Sequence, residues 1–264
     1  MSQTPFGART VEVLEVRELG AYALLSVEDA GPVPEPGQFA MLAAAEHWGG
    51  GSDERPFLPR AISVCSAAEG RIDYLLEAVG PGTGILCSLR PGDAVRSLGP
   101  LGRGFSEPPA GERAVLVGGG IGAAPLVELE RRLGQADVLL GFRDGARAQA
   151  AVLFSNARVA TDDGSVGEQV DHARLLEREL AAGAPARVYA CGPAAMLEAV
   201  RLLCEETQTP SELALESPMA CGYGACWGCV VPLRDGTYAR VCLDGPVFEG
   251  HTLERVGEHF GSRP

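Results

Sequence analysis

Over the first hundred residues, hydrophobic and polar positions alternate in short runs broken by Gly and Pro: Val11–Val16, Tyr22–Val27, Gln38–Leu42, Ala61–Val64, Arg71–Val79 and Ala94–Leu98. Period-two segments at this spacing predict an antiparallel barrel or sandwich. A short helix, Thr83–Ser88, interrupts them. Glu46–Pro59, with Gly49-Gly50-Gly51-Ser52, has no periodicity and predicts an exposed loop. Beyond a linker at Ser106–Gly111 the pattern becomes strand Ala114–Val117, helix Ala123–Leu133, strands Val138–Phe142 and Arg158–Thr161, helix Glu168–Ala181, strand Arg187–Ala190 and helix Ala194–Glu205. That alternation predicts right-handed βαβ units and a doubly wound parallel sheet. From about Leu213 the chain carries four cysteines among many turn formers, and a unit so small needs a staple. The expected organisation is multidomain, α/β plus β: an antiparallel β-barrel over 1–108, a doubly wound α/β domain over 109–212, and a small C-terminal module over 213–264.

Composition narrows the function classes. Hydrophobic residues at 46% and charged residues at 22% are globular values. All 22 basic residues are Arg, and 35 acidic residues leave a net charge of -13. A chain so acidic neither neutralises a nucleic-acid backbone nor lies on an anionic membrane, so its partners are expected to be small molecules or proteins. Met1–Leu19 has no apolar signal-peptide core, and the longest apolar run, Ala114–Val127, is glycine-interrupted and too short to span a bilayer. A cytoplasmic, non-membrane protein is expected. Its eight cysteines would then stay reduced, and a clustered subset reads as metal ligands rather than disulfides.

The cluster is Cys221-Gly-Tyr-Gly-Ala-Cys226-Trp-Gly-Cys229, with Cys242 twelve residues further on, a C-x4-C-x2-C-x12-C pattern. This is plant-type 2Fe-2S spacing, in which one tight loop supplies three thiolates and a separate segment the fourth. Gly222, Gly224 and Gly228 suit such a loop, because they permit positive φ and let backbone N–H groups approach sulfur. A structural zinc site would use Cys226 and Cys229 but leave Cys221 without a partner at ordinary spacing. With no His among the ligands, a Rieske centre is excluded.

Val115-Leu-Val-Gly118-Gly119-Gly120-Ile121-Gly122 is a strand entering a glycine turn and a helix, where N–H groups can hold a dinucleotide diphosphate; close strand–helix packing is the plainer reading of the same glycines. Tyr189-Ala-Cys191-Gly192-Pro193 is a second strand end of this kind, and Cys191 by itself reads as a small buried residue. Strand Val138–Phe142 ends at Arg143-Asp144, where a carboxylate accepts a ribose 2′-OH and repels a 2′-phosphate, favouring NAD over NADP; Arg143 works the other way. In the barrel, Arg60-Ala61-Ile62-Ser63 and Gly80-Pro81-Gly82-Thr83-Gly84 offer a guanidinium fork and a cluster of backbone donors, or else plain turns.

Taken in order, these segments resemble the electron-transfer subunits of class 1B dihydroorotate dehydrogenases, within the ferredoxin-reductase superfamily. Leu215–Val230, Val241–Phe248, Thr161-Asp162-Asp163-Gly164-Ser165 and Cys191-Gly192-Pro193 carry the resemblance most specifically. It implies a barrel binding FAD through Arg60, Ile62, Ser63, Gly82 and Thr83. It further implies a nucleotide domain using Gly119, Gly120 and Cys191 for NAD, and a 2Fe-2S module on Cys221, Cys226, Cys229 and Cys242. The implied partner is an FMN-containing dihydroorotate dehydrogenase catalytic subunit, in a heterotetramer, with no catalytic residue needed in this chain. Two departures stand out: Ala61 where the family has Pro, and Glu168-Gln169-Val170 where the family has a further Gly after Gly167. The rival readings are a flavin/iron–sulfur subunit of another complex, of ferredoxin-NADP transhydrogenase, sulfide dehydrogenase or hydrogenase type, and a non-catalytic zinc-stapled interaction module.

Overall fold

The computed structural model describes residues 7–49, 56–170, 172–181, 183 and 185–257, so residues 50–55 of the expected exposed loop lie outside the described residues. The first unit contains β1 (Ala8–Leu19), β2 (Tyr22–Asp29), β3 (Phe39–Ala44), β4 (Arg60–Ala68), β5 (Gly70–Leu76), α1 (Pro81–Cys87) and β6 (Ala94–Leu101). Its strands close an antiparallel barrel in the order β1-β2-β5-β4-β3-β6. Period-two alternation puts Leu25 and Val27 inside the barrel with Val13, Leu42, Ile72 and Val95. Tyr22 and Leu24, on the opposite face of β2, pack outward onto the second unit.

That unit contains β7 (Arg113–Gly119), a 3₁₀ turn (Gly120–Ala123), α2 (Ala124–Leu133), β8 (Asp137–Phe142), α3 (Gly145–Ala148), β9 (Ala157–Thr161), α4 (His172–Leu180), β10 (Ala186–Cys191), α5 (Ala194–Glu206) and β11 (Ser211–Ala214). The C-terminal segment adds β12 (Val230–Pro232), β13 (Tyr238–Arg240) and β14 (Val247–Glu249). The large sheet runs β14-β11-β10-β7-β8-β9, parallel except for β14. Val115, Val117 and Val188 face Leu175, Leu197 and Val200 of α4 and α5. Leu116, Leu140 and Tyr189 face α2 and the barrel residues Tyr22, Leu24 and Leu75. Both sheet faces are therefore covered, as a parallel sheet requires. The linker straps across one end: the Ser106 N–H donates to Glu212 Oε2 at 2.9 Å, and the Phe105 ring meets Tyr189 edge-on at 5.8 Å.

Two expectations need correction. The helix expected to begin at Glu168 begins at His172. Glu168 is held instead as extended backbone, its N–H donating to Val159 O at 3.1 Å and its carbonyl accepting from Thr161 N–H at 3.0 Å. Gly167 makes this hook at φ +68°, where a Cβ would lie 1.8 Å from Val159 O. The C-terminal segment, expected as a separate module, sends β14 back to pair antiparallel with β11, Glu212 opposite Glu249 and Ala214 opposite Val247. The boundary drawn at 212 thus falls inside β11. Among the described residues no helix is long and apolar enough to cross a membrane.

Candidate functional site

All three segments meet at a cavity of about 540 Å³, within the usual range for small-molecule sites. The barrel contributes Ile62, Ser63, Leu76, Glu77 and Thr83; the second unit Ile121, Gly192 and Leu197; the C-terminal segment Glu216, Met219, Val231 and Arg255. An apolar wall with a few polar groups suits a flat aromatic ring system with one hydrogen-bonding edge. Arg60, next in the chain to the cavity-lining Ala61, is not itself in the lining: its guanidinium lies over the Trp48 ring, 5.5 Å from the centroid, and its Nη1 donates to Leu58 O at 2.6 Å. A Cβ on Gly82 would fall 2.7 Å from Arg60 Nε, so only glycine lets the arginine pack against the first turn of α1. Around Gly80 and Gly84 there is open space. Thr83 Oγ1 accepts from the N–H groups of Val79 (3.1 Å) and Gly80 (3.2 Å), which fixes this turn. Ala61 sits in β4 opposite Met41, so the strand forms without the family's proline.

Of the expected nucleotide residues, Gly119, Gly120 and Cys191 lie behind the cavity wall. A Cβ on Gly119 would meet Met196 Sδ at 2.5 Å, and one on Gly122 the Gly192 backbone at 2.5 Å. The two glycine motifs are therefore pressed together, and close packing is part of what those glycines do. Gly120, at φ +57°, faces the buried Tyr22 hydroxyl, which has no hydrogen-bond partner among the described residues. Burial pushes the Cys191 thiol well above its usual range, so it stays neutral. Asp144 Oδ1 caps α3 by accepting the Arg147 N–H at 2.9 Å, and its Oδ2 accepts Arg147 Nη1 at 2.6 Å. Arg147 also donates to Glu77 at 2.6 Å, and the Ala21 N–H to Ala146 O at 3.3 Å, which ties the barrel to the second unit beside the cavity. Sequence reasoning missed Glu77, Glu216, Met219 and Arg147. Glu216 lines the cavity with its side chain open to solvent, and the protein crowded around that space raises its carboxyl above the usual range.

Met219 lines the cavity, and two residues later Cys221 opens the cysteine loop. Gly222 (φ +79°), Gly224 (φ +85°) and Trp227 (φ +57°) coil that loop through left-handed backbone. Gly222 seats it on the barrel, with a Cβ there only 2.4 Å from Met41 Cγ. Cys229 and Cys242 are buried with Val231, Val241 and Leu253; Cys226 is exposed. The Gly224 N–H donates to Cys242 Sγ at 3.1 Å and the Cys242 N–H to Cys229 Sγ at 3.4 Å. Burial opposes a Cys221 thiolate, but N–H groups of Cys226, Tyr223 and Ala225 and the Cys226 side chain outweigh it and hold the group at about 6. Cys242 is pushed up to about 12, by burial and by the Cys229 and Cys221 thiols. Among the described residues no three of these side chains are gathered closely enough to hold a metal ion as they stand. The convergent N–H donors suit cluster sulfurs in addition to thiolates.

Residues 216–254 match the model of the iron-sulfur cluster binding domain of dihydroorotate dehydrogenase B. Over 256 residues the chain is 36% identical to the dihydroorotate dehydrogenase B (NAD(+)) electron transfer subunit of Desulforamulus reducens, covering 92% of this chain and 95% of the relative. With its namesake from Geobacillus thermodenitrificans it shares 41% identity over 229 residues, covering 81% and 84%. Among solved structures, an NADH-dependent reduced ferredoxin-NADP oxidoreductase superposes with a TM-score of 0.79 at 23% identity, covering 97% of this chain and 91% of that one, a likeness of fold. With identity at this level over most of both lengths, the chain belongs to the family of dihydroorotate dehydrogenase B (NAD(+)) electron transfer subunits.

Proposed function

We propose that this chain is the electron-transfer half of a cytoplasmic dihydroorotate dehydrogenase. It holds FAD in the three-way cavity through Arg60, Ile62, Ser63, Gly82 and Thr83, and a 2Fe-2S cluster on Cys221, Cys226, Cys229 and Cys242. NAD is taken up beside Gly119, Gly120 and Cys191. The observation that carries this reading is the continuity of one chain segment: Leu215–Met219 lines the cavity and Cys221 follows two residues later. When bound, the flavin exchanges a hydride with NAD and single electrons with the cluster, which links two-electron to one-electron carriers.

The chain's own residues position and seclude. Leu76, Ile121, Leu197 and Val231 exclude water from the ring site. Glu77 and Arg147 hold the two units in register beside it. Dihydroorotate is oxidised by an FMN-containing catalytic subunit, with which this chain forms a two-plus-two heterotetramer; the relatives' name as electron transfer subunits supports that division of labour. The partner's docking face is the cysteine-loop surface, where Tyr223, Trp227 and Leu243 are exposed. The barrel, the parallel sheet with its helices and the C-terminal cysteine segment act as flavin, nucleotide and cluster units, with β14 joining the last two. An anaerobic NADH titration of the purified chain tests this: both flavin absorbance and a cluster EPR signal should respond. A colourless, zinc-containing protein would contradict it.

A further inference from the structure

Arg240, two residues before the fourth cysteine, joins the cysteine loop to its surface. Its Nη1 donates to Gly224 O at 3.2 Å, and its guanidinium lies 4.6 Å from the centroid of the Trp227 ring. Asp244 Oδ2 accepts from both the Arg240 backbone N–H (2.9 Å) and Nε (3.2 Å), which orients the side chain. Gly224 is also the residue whose N–H donates to Cys242 Sγ at 3.1 Å. A cation on its carbonyl oxygen polarises the loop backbone beside that donor and brings positive charge next to the cysteines. The arginine is only 23% exposed, so its charge is partly shielded from solvent screening.

We propose that Arg240 is a positioning residue that sets the reduction potential of the cluster, favouring the reduced form through its charge and through the loop backbone at Gly224. This rests on the cluster assignment above. Reduction adds negative charge to the cluster, so a nearby cation and a polarised loop backbone stabilise the reduced state over the oxidised one. Asp244 opposes the effect, but it sits on the Nε side while Nη1 reaches the loop. Trp227, on the exposed face, covers the guanidinium, so a partner docked there would remove remaining water and strengthen the arginine's field on the cluster.

The experiment is an EPR-monitored redox titration of the purified full chain and its Arg240→Gln, Arg240→Lys and Asp244→Asn variants, with iron measured on each. At a fixed potential near the wild-type midpoint, Arg240→Gln should lower the reduced-to-oxidised ratio several-fold with iron unchanged. Arg240→Lys should restore most of it, and Asp244→Asn should raise it. An unchanged midpoint in iron-replete Arg240→Gln, or a fall in Asp244→Asn, overturns the proposal. If Arg240→Gln fails to hold iron, the sign of the Asp244→Asn shift decides alone. A wild-type chain with no 2Fe-2S signal would overturn the cluster assignment instead.

Discussion

Gly222 and Gly236 have nearly the same backbone, φ +79° and φ +81°, yet opposite surroundings. A methyl group on Gly222 would lie 2.4 Å from Met41 Cγ and 2.8 Å from Met41 Sδ, while nothing lies within 4 Å of one on Gly236. Both Gly→Ala changes force an L-residue into the left-handed region, at about 1 kcal/mol. Only Gly222→Ala must also displace Met41, which is 1% exposed in the core beneath the cysteine loop, and overpacking of that kind adds about 2 kcal/mol. The expected losses are about 1 kcal/mol for Gly236→Ala and about 3 kcal/mol for Gly222→Ala. At roughly 2–4 °C per kcal/mol in a chain of this size, thermal unfolding should fall by about 3 °C and about 9 °C respectively. Differential scanning calorimetry with iron assayed on the same samples measures both. Because the crowding lies at the loop's seat, Gly222→Ala should also lose iron more readily on heating. Equal destabilisation by the two changes would refute the close seating of the loop on the barrel.

Cys226→Ser should strip most of the iron and loosen the C-terminal segment, because a small unit draws its folding free energy from its metal, whereas Cys204→Ser, on the buried face of α5, should keep full iron by elemental analysis. Trp227→Glu or Tyr223→Glu, on the exposed face, should weaken binding to a catalytic subunit in sedimentation while leaving NADH-dependent dye reduction intact. Burial works against ionisation of Glu179, but Arg158 and Arg113 outweigh it and hold its carboxyl below the usual 4.5. Its contribution to stability is therefore complete above pH 4.5 and is lost as pH falls through the depressed native value. Glu179→Gln should destabilise at neutral pH and flatten the acid limb of a denaturation-midpoint profile.

Where the sequence carries periodicity, the fold was readable. Each barrel strand, and the strands and helices of the nucleotide unit apart from the short α3 (Gly145–Ala148) and β11 (Ser211–Ala214), announces itself by period two or by alternation, with shifts at the ends, as at Ala8–Leu19. The four cysteines are legible because their spacing is itself the chemistry. β12, β13 and β14 are three residues each, too short to show a period, and β14 joins the sheet only because the chain turns back after Asp244. Glu168 looked like a helix start until Gly167, at φ +68°, hooked it onto Val159. The cavity was the least legible feature: its walls come from residues as distant as Phe39 and Gly257. Glu77, Arg147 and Arg240 acquire meaning only from tertiary partners. Arg240 alone had a local cue, its place two residues before Cys242.

Conduction of electrons by this chain between NAD and a partner that handles dihydroorotate can be measured in a reconstituted pair. Purified chain and a purified FMN-containing dihydroorotate dehydrogenase subunit from the same cell are assayed for dihydroorotate-dependent NADH formation, separately and mixed. This chain alone should form no NADH, and formation should rise and saturate as the two are titrated to equal amounts. Dihydroorotate oxidation by the isolated chain, or no gain on mixing two cofactor-replete proteins, would contradict this electron route.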